Sequence, residues 1–231
     1  MISVAMAVYN GEKYIDKQLF SIVNQSLIPD EIVITDDSDN DYIYSIVKEY
    51  INKFNNIKWN YVKNNERLGY CKNFFKAIAL SCGDIIYLSD QDDIWNKDKI
   101  KKMTECMLHD NNINCLCSKY VLIDKGDNII SGVHEYSTSY KYNSIIKRFS
   151  YFKLDKNEYY KILAFPGFCF AINKKLRDEL NNFLELVGAD KIKYHDLIIS
   201  FLACRKGTFY IFNEALNKYR MHGTNAIGIE E

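Results

Sequence analysis

Three acidic side chains follow an apolar segment in the first half of the chain and precede a tryptophan. Asp90, Asp92 and Asp93 fall within four positions, directly after residues 84–88 (DIIYL). Carboxylates this close repel one another, so a divalent cation or hydrogen-bond donors must offset their charge. Carboxylate oxygens and substrate phosphates are the usual ligands of Mg²⁺ and Mn²⁺ in proteins. A solvated turn that caps a helix is the alternative, but the apolar strand before it and Trp95 after it favour a metal site.

Two further polar groups lie in the first seventy residues. Asp36, Asp37 and Ser38 follow residues 31–35 (EIVIT), where a carboxylate can accept from a nucleobase imide N–H or a ribose hydroxyl. Arg67 precedes a predicted helix and offers a charge-assisted contact to phosphate, which the start of that helix would support. The alternatives are turn chemistry for the first group and a solvated arginine for the second.

The second half of the chain contains two groups with acid–base or ligand chemistry. Asp196 follows His195 at a predicted helix start, where it could take a proton from an acceptor hydroxyl as a general base. It could equally be a first-turn carboxylate that only stabilises the helix. Near the C-terminal end, Arg220 is a candidate diphosphate contact and His222 a candidate metal ligand, with a surface tail as the alternative.

Hydrophobic periodicity predicts the elements that position these residues. The first ninety residues alternate between short β-branched runs and segments with helical spacing, which indicates a parallel sheet with helices on both faces. In such sheets ligands bind beyond the carboxyl ends of the strands, where the polar groups fall. The predicted strands are 2–8, 31–35, 57–62 and 84–88, and the predicted helices are 12–24, 41–54 and 70–80.

The pattern is less regular after residue 93. Residues 135–160 are polar and tyrosine-rich and receive no assignment, and no linker or repeat divides the chain, so residues 1–231 are expected to form one domain. The predicted helices here are 96–108, 174–186 and 195–204, and the predicted strands are 115–123, 128–133, 164–172 and 208–212.

The composition narrows the class of partner. The chain has 30 basic and 30 acidic residues in 231, so its formal net charge is zero. A neutral chain has no broad electrostatic attraction to nucleic acid or to an anionic membrane, so nucleic acid is not an expected partner and any membrane association is expected to be peripheral.

The seven cysteines lie mostly among apolar neighbours and form no CxxC pairs, and no basic leader precedes the first apolar run. A cytoplasmic location, at most at the inner face of the membrane, is expected.

Taken together, the motifs resemble those of the family 2 glycosyltransferases with the GT-A fold, and are most similar to the rhamnosyltransferase-like branch of that family. The resemblance extends over essentially the whole chain in the family's order. The segments that carry it are SVAMAVYNGEKYIDKQLFSIVNQS, EIVITDDS, NNERLGYCKNF, GDIIYLSDQDDIW, PGFCFAINKKL, YHD and YRMHGTNA.

That resemblance implies an α/β fold with a Rossmann-like mixed central sheet, and inverting transfer of a sugar from a nucleoside-diphosphate sugar to an acceptor hydroxyl. A dTDP-rhamnose, another dTDP-sugar or a UDP-sugar would be the donor, and a saccharide, lipid-linked or glycoconjugate acceptor of a bacterial surface glycan would receive the sugar. Residues 1–95 would form the donor half and residues 96–231 the acceptor half.

The resemblance also implies roles for single residues. Asp196 would be the catalytic base, and Asp92, with His222, would hold a Mn²⁺ or Mg²⁺ ion. The donor contacts would come from Val8, Tyr9, Asp36, Asp37, Ser38, Arg67, Asp90, Arg220 and Asn225.

Three other functions compete with this interpretation. An NAD-dependent Rossmann enzyme would need GxGxxG after the first strand, and the segment after residue 8 (YNGEK) has one glycine. A nucleotidyltransferase shares the metal-binding carboxylates but usually carries a glycine-rich basic loop near the first strand. A catalytically degenerate module that only binds a nucleotide sugar is the third. The nucleotidyltransferase and the degenerate module stay open as alternatives.

Overall fold

The computed structural model describes residues 1–134, 150–157, 159 and 165–222, and within these ranges the chain forms one sheet of ten strands and six α-helices. The strands are β1 (Ile2–Val8), β2 (Glu31–Asp36), β3 (Lys58–Lys63), β4 (Ile85–Ser89), β5 (Ile94–Trp95), β6 (Cys115–Ile123), β7 (Ile129–His134), β8 (Tyr151–Lys153), β9 (Phe170–Asn173) and β10 (Phe209–Arg220). The helices are α1 (Ile15–Val23), α2 (Tyr42–Lys53), α3 (Tyr70–Leu80), α4 (Lys99–His109), α5 (Lys174–Val187) and α6 (His195–Arg205).

The sheet is mixed, as the sequence predicts. Its strand order is β3-β2-β1-β4-β9-β6-β10-β5, with β7 paired to β6 and β8 paired to β10. The first four strands are parallel, β9 runs antiparallel to both β4 and β6, and β6 and β10 are parallel to each other. The parallel block therefore ends at β4, and the direction of the sheet changes next to the acidic segment that follows this strand.

Helices cover both faces of the sheet, which explains why the central strands are apolar at nearly every position. On β1, Val4, Met6 and Val8 pack with α1, α2 and α4 on one face. Ala5 lies in a second cluster, with residues of α3, α5 and α6, on the other face. Within the described ranges, no helix combines the length and the apolar character needed to cross a membrane.

Two predicted strands differ from the structure by several residues, whereas the other predicted strands agree within one residue at each end. The segment predicted as 164–172 is a strand only over Phe170–Asn173, because the chain first makes a 3₁₀ turn at Gly167–Cys169. The strand predicted to end at residue 212 continues to Arg220, with register shifts against β6 between Phe212 and Asn217. The bulge accommodates the polar residues that interrupt the hydrophobic pattern, and the strand continues past them beside β5.

A buried carboxylate joins the amino ends of β1, β2 and β4. Glu31 accepts hydrogen bonds from Ser3 Oγ at 2.6 Å, the Cys82 N–H at 2.8 Å and Lys58 Nζ at 2.8 Å. Burial by itself would raise the pKa of this carboxyl, but the three donors outweigh it and hold the pKa below the ordinary 4.5. The ionised form is therefore part of the folded structure.

This pairing predicts acid sensitivity. Because the folded pKa of Glu31 is lowered, its contribution is complete above the ordinary pKa of 4.5 and is lost as the pH falls through the folded pKa. Glu31→Gln should lower the free energy of unfolding by about 1–3 kcal/mol at pH 7, and it should make that free energy less dependent on pH below 7. Urea unfolding between pH 3 and 7 measures the free energy at each pH, and Glu185→Gln, at an exposed position, is the control. An unchanged pH profile in Glu31→Gln would contradict the assignment.

Candidate active site

A cavity of about 540 Å³ opens at the carboxyl ends of β1 and β4, where ligands bind in sheets of this kind. It brings together segments from both halves of the chain: the end of β1, the loop before α3, the acidic loop after β4, the 3₁₀ turn and the start of α6. Its walls include Val8, Tyr9, Asp37, Arg67, Tyr70, Phe74, Asp90, Gln91, Asp92, Tyr120, Gly167, Phe168, His195, Asp196 and Tyr219.

The acidic loop is bonded to the end of β1 through one side chain. The Gln91 amide accepts from the Tyr9 N–H at 2.9 Å and donates to the Tyr9 carbonyl at 3.0 Å. A Cβ on Gly11 would lie 2.1 Å from Gln91 Oε1, so the glycine makes room for this amide. The guanidinium of Arg67 lies 3.9 Å from the centre of the Tyr9 ring. Three predicted donor-site segments therefore meet at Tyr9.

Of the three polar residues that follow β2 (Asp36, Asp37 and Ser38), Asp37 borders the cavity. Its carboxylate accepts from the Gly69 N–H at 2.8 Å, the Leu68 N–H at 3.2 Å and Asn64 Nδ2 at 2.6 Å. These bonds fix the loop that carries Arg67 in front of α3. Asp37 thus positions the loop as well as presenting a carboxylate to the cavity.

Asp36 and Ser38 lie behind the cavity wall. Asp36 is fully buried and accepts from the Tyr61 hydroxyl at 2.5 Å and from the Ser38 N–H at 2.8 Å. Lys63 lies 3.5 Å from the same carboxylate. Ser38 Oγ accepts from the Asn10 N–H at 2.8 Å, which ties this turn to the end of β1. Neither residue is among those that line the cavity.

The acidic loop carries charge that its surroundings only partly offset. Burial, followed by the charges of Asp92 and Asp196, raises the pKa of Asp90 to about 8. Burial, followed by Asp92 and Asp90, raises the pKa of Asp93 well above its ordinary value. Asp93 Oδ1 accepts from the Arg220 N–H at 3.2 Å, whereas Oδ2 has no hydrogen-bond partner in the part of the chain that the structure describes.

A buried amide on α1 supports the loop from below. The geometry favours a Gln18 side chain whose oxygen accepts from Trp95 Nε1 at 3.0 Å and whose nitrogen donates to the Asp93 carbonyl at 2.9 Å. Because Gln18 is fully buried, water cannot replace these hydrogen bonds, and losing them would cost folding free energy. It explains why Trp95 follows the carboxylates.

Asp92 and His222 form a direct pair. Asp92 Oδ2 lies 2.8 Å from His222 Nε2, and the two side chains are 14% and 12% exposed. The His222 ring stacks on Tyr14 at 5.1 Å. Mg²⁺ is usually held by one or two carboxylates and substrate phosphates, and carboxylate oxygens suit Mn²⁺ as well. No group of three or more metal-ligating side chains occurs within the described ranges. Asp92 and His222 are two side chains of this region that could contribute ligands to a cation.

Arg220 lies behind the acidic loop. It is fully buried, and its Nε donates to the Asp92 carbonyl at 2.8 Å while a terminal nitrogen donates to the Asp124 carbonyl at 3.1 Å. The guanidinium also pairs with Asp127 and lies 4.7 Å from the centre of the Tyr14 ring. In this position Arg220 fixes the backbone of the loop and does not line the cavity. Asn225, the other predicted contact of this segment, lies outside the described residues.

Asp196 borders the cavity at the start of α6, where its Oδ1 accepts from the Leu197 N–H at 2.8 Å. The preceding His195 is buried and stacks on Phe74 with ring centres 4.1 Å apart. Burial lowers the pKa of His195 to about 4, so the ring is neutral at physiological pH. Within the described ranges, neither of its ring nitrogens has a hydrogen-bond partner. A Cβ on Gly167 would lie 2.3 Å from His195 Nε2, so ring and turn are in close contact.

The structure therefore brings Val8, Tyr9, Asp37, Arg67, Asp90, Asp92 and Asp196 to one cavity. Sequence reasoning missed the residues that brace this set. Gln91 lies within the acidic motif and Gly11 within the first turn, so both belong to segments that the sequence singles out. The contact between them could not be predicted from the sequence. Gln18 has a buried position in the helical pattern of α1, which is the signal that could have singled it out.

The contact between Gly167 and His195 predicts a specific coupling. Gly167→Ala places a methyl group against the ring and should destabilise the protein by about 1–3 kcal/mol. His195→Ala removes the clash, so the double variant should cost less than the sum of the single ones. Chemical denaturation measures all three, and Gly132→Ala, which meets nothing within 4 Å, is the control. Additive effects would show that the ring is not what the methyl group meets.

Comparison with known proteins identifies the family of the chain. Residues 3–180 match the family model described as "Glycosyl transferase family 2". The chain is 34% identical over 229 residues to the dTDP-rhamnosyl transferase RfbG of Shigella flexneri, covering 96% of this chain and 73% of that protein. It is also 29% identical over 172 residues to an uncharacterized glycosyltransferase of Haemophilus influenzae, covering 72% of this chain and 66% of that one.

Among solved structures, Staphylococcus aureus TarS (residues 1–349) in complex with UDP matches with a TM-score of 0.73 and 18% identity. The match covers 95% of this chain and 60% of that one, so this chain spans less than two thirds of the TarS fragment. The structural likeness confirms the expected GT-A fold. Together with the family model and the rhamnosyl transferase relative, it shows that the chain belongs to the family 2 glycosyltransferases.

Proposed function

We propose that the protein is an inverting, cation-assisted glycosyltransferase that moves a sugar from dTDP-rhamnose, or from another dTDP- or UDP-sugar, to an acceptor hydroxyl. The observation that carries this proposal is that one cavity holds the Tyr9–Asp37 end, the acidic loop and Asp196. The similarity to a dTDP-rhamnosyl transferase over most of both chains supports the donor. The acceptor is a saccharide or a lipid-linked or other glycoconjugate in the synthesis of a bacterial surface polysaccharide, reached from the cytoplasm.

The nucleoside lies at the end of β1 in this proposal. Val8 and Tyr9 provide its apolar contacts, and the Asp37 carboxylate accepts from the base or the ribose. The guanidinium of Arg67 lies 3.9 Å from the centre of the Tyr9 ring. When the donor binds, this guanidinium can leave the ring and pair with a donor phosphate. Asp36 and Ser38 act from behind, because their bonds to Tyr61 and Asn10 keep the wall in place.

The diphosphate lies beside the acidic loop. Asp92 and His222 would hold the cation, and Asp90 would accept from the ribose hydroxyls. When bound, the cation supplies Lewis-acid stabilisation of the charge that develops on the leaving diphosphate. Buried Arg220 keeps the Asp92 backbone in position and adds positive charge behind the loop. Asn225 completes the donor contacts that we propose.

Asp196 is the base. As the acceptor oxygen attacks C1 of the sugar, the bond from C1 to the diphosphate oxygen breaks and the hydroxyl proton passes to Asp196. Because Oδ1 accepts the Leu197 N–H, Oδ2 is the oxygen that takes the proton. Attack from the face opposite the leaving group inverts the anomeric centre.

The role of the acidic loop is tested by Asp92→Ala. We expect wild-type protein to bind dTDP or UDP roughly tenfold or more tightly with Mn²⁺ than with EDTA, a difference of about 1.4 kcal/mol. Asp92→Ala should lose this dependence because the carboxylate ligand is gone. Isothermal titration calorimetry measures both, and Asp178→Ala, an acidic residue on α5 away from the cavity, should behave as wild type. Retention of the full Mn²⁺ dependence in Asp92→Ala would count against the cation site.

The role of the base is tested by Asp196→Asn. The amide keeps the size of the side chain but cannot take a proton, so turnover should fall by about 10²–10⁴-fold while donor affinity stays within roughly twofold. The assay follows release of the nucleoside diphosphate from the donor with a panel of saccharide acceptors, and Asp178→Asn is the matched control. Wild-type-like turnover in Asp196→Asn would exclude this base. Release of pyrophosphate would favour a nucleotidyltransferase, and binding without turnover a degenerate module.

A further inference from the structure

Three aromatic side chains from separate elements form one wall of the cavity, here called the aromatic wall. It consists of Tyr120 on β6, Phe168 in the 3₁₀ turn and Tyr219 on β10. The rings of Phe168 and Tyr219 are stacked, 4.9 Å apart and within 2° of parallel. The Tyr120 ring meets both edge-on, at 5.4 Å and 5.9 Å. The wall presents ring surface, with no charged side chain among its members.

A buried ammonium group holds this wall together. Lys99, at the start of α4, is fully buried, and its Nζ donates to the Phe168 carbonyl at 2.8 Å and to Asn217 Oδ1 at 2.6 Å. The same nitrogen lies 3.9 Å from the centre of the Trp95 ring. Burial lowers the pKa of Lys99 to about 8, which reflects the cost of removing the charge from water. A lysine in such a position is uncommon unless its contacts are needed.

The polar contacts of Lys99 reach the wall directly at Phe168 and continue, through Asn217, to residues two positions away from its other two members. Asn217 Nδ2 donates to Ser118 Oγ at 2.7 Å, and both side chains are buried. Ser118 precedes Tyr120 by two residues on β6, and Asn217 precedes Tyr219 by two residues on β10. The Phe168 carbonyl supplies the third attachment. Lys99, Asn217 and Ser118 therefore form a buried support directly adjacent to the aromatic wall.

The wall lies next to the acidic loop. Tyr219 immediately precedes Arg220, whose backbone N–H donates to the Asp93 carboxylate and whose Nε donates to the Asp92 carbonyl. The wall also lines the same cavity as Asp196. If the donor diphosphate lies at Asp92, the sugar bonded to it must occupy the space between the acidic loop and Asp196, beside this wall.

We propose that the aromatic wall, supported by Lys99, binds the transferred sugar and selects a 6-deoxyhexose over the corresponding hexose. This inference rests on the proposed function. Phe168 lines the cavity and is 4% exposed, so it presents a small apolar surface there. The C5 methyl of a 6-deoxyhexose fits such a contact, whereas the hydroxyl of a hydroxymethyl group would lose water against a ring without gaining a hydrogen bond.

The test compares donor binding with and without the methyl group, which requires no acceptor. Calorimetry with Mn²⁺ measures dTDP, dTDP-L-rhamnose and dTDP-L-mannose, which has the same ring configuration as the rhamnose donor but a hydroxymethyl group at C5. If the protein binds UDP instead, UDP-L-rhamnose and UDP-L-mannose take their place. We expect wild-type protein to prefer the rhamnose donor by about tenfold. Phe168→Ala should bring this preference close to one and leave the affinity for dTDP alone unchanged. Tyr219→Leu replaces Phe168→Ala if that variant does not fold.

Lys99→Met tests the support separately. Its side chain has no proposed ligand contact, so a loss of sugar preference with unchanged dTDP affinity would show that it acts by positioning the wall. Lys101→Met, an exposed lysine on the same helix, is the control and should keep the preference. Equal binding of both sugar donors by wild-type protein, or an unchanged preference in Phe168→Ala and Lys99→Met, would overturn the inference and leave the proposed function intact. Absence of nucleotide binding by wild-type protein would instead contradict the proposed function.

Discussion

Three carboxylates within four residues, at the end of a strand buried on both faces, are the constraint on which the rest of the site depends. Asp90, Asp92 and Asp93 cannot all be ionised at this depth without compensation, and the raised pKa values of Asp90 and Asp93 express that cost. The surrounding chain supplies part of the compensation. Arg220 donates to the Asp92 carbonyl and, through its backbone, to Asp93, and His222 pairs with the Asp92 carboxylate. A substrate-bound divalent cation would supply the remainder.

The topology places this charge where a ligand can use it. The parallel block of the sheet ends at β4, and β9 then runs in the opposite direction, so the loop after β4 opens into the cavity instead of leading directly to another parallel strand. α1 reaches the loop through Gln18, and β1 reaches it through the reciprocal bonds between Gln91 and Tyr9. From the other side, β10 contributes Arg220 and Tyr219. Residues of both predicted halves of the chain thus line one cavity, and their division into donor and acceptor halves stays a prediction.

The helices and strands with a regular hydrophobic pattern, and the clusters of polar residues at their ends, could be predicted from the sequence. The bounds of β1, β6 and α3 agree with the hydrophobic pattern, because these elements are long, regular and buried on a definite face. The acidic motif, Asp37, Arg67 and Asp196 were recognisable as chemistry at strand ends or helix starts. They lie at one cavity because strand ends of a parallel block share an edge.

What could not be predicted depends on contacts between distant segments. β5 and β8 are two and three residues long, too short to show a period, and the extension of β10 depends on a bulge. Asp36 reads as a donor ligand, yet Tyr61 and Lys63, from the neighbouring strand, occupy its carboxylate. Arg220 is predicted to contact the donor diphosphate, yet the turn that carries Asp124 and Asp127 binds its guanidinium. Lys99 shows no signal at all, because a lysine at the start of a helix is ordinarily solvated.

The most direct test of the charge at the acidic loop is the thermal stability of the wild-type protein with Mn²⁺ and dTDP or UDP, singly and together. A ligand at about 100 times its Kd stabilises the folded state by about 2.7 kcal/mol, which is several degrees in Tm for a protein of this size. If a cation and a diphosphate complete the site jointly, the two added together should raise Tm by more than the sum of their separate effects. A purely additive shift, or no shift with either nucleotide, would contradict a cation-completed diphosphate site at Asp92 and His222.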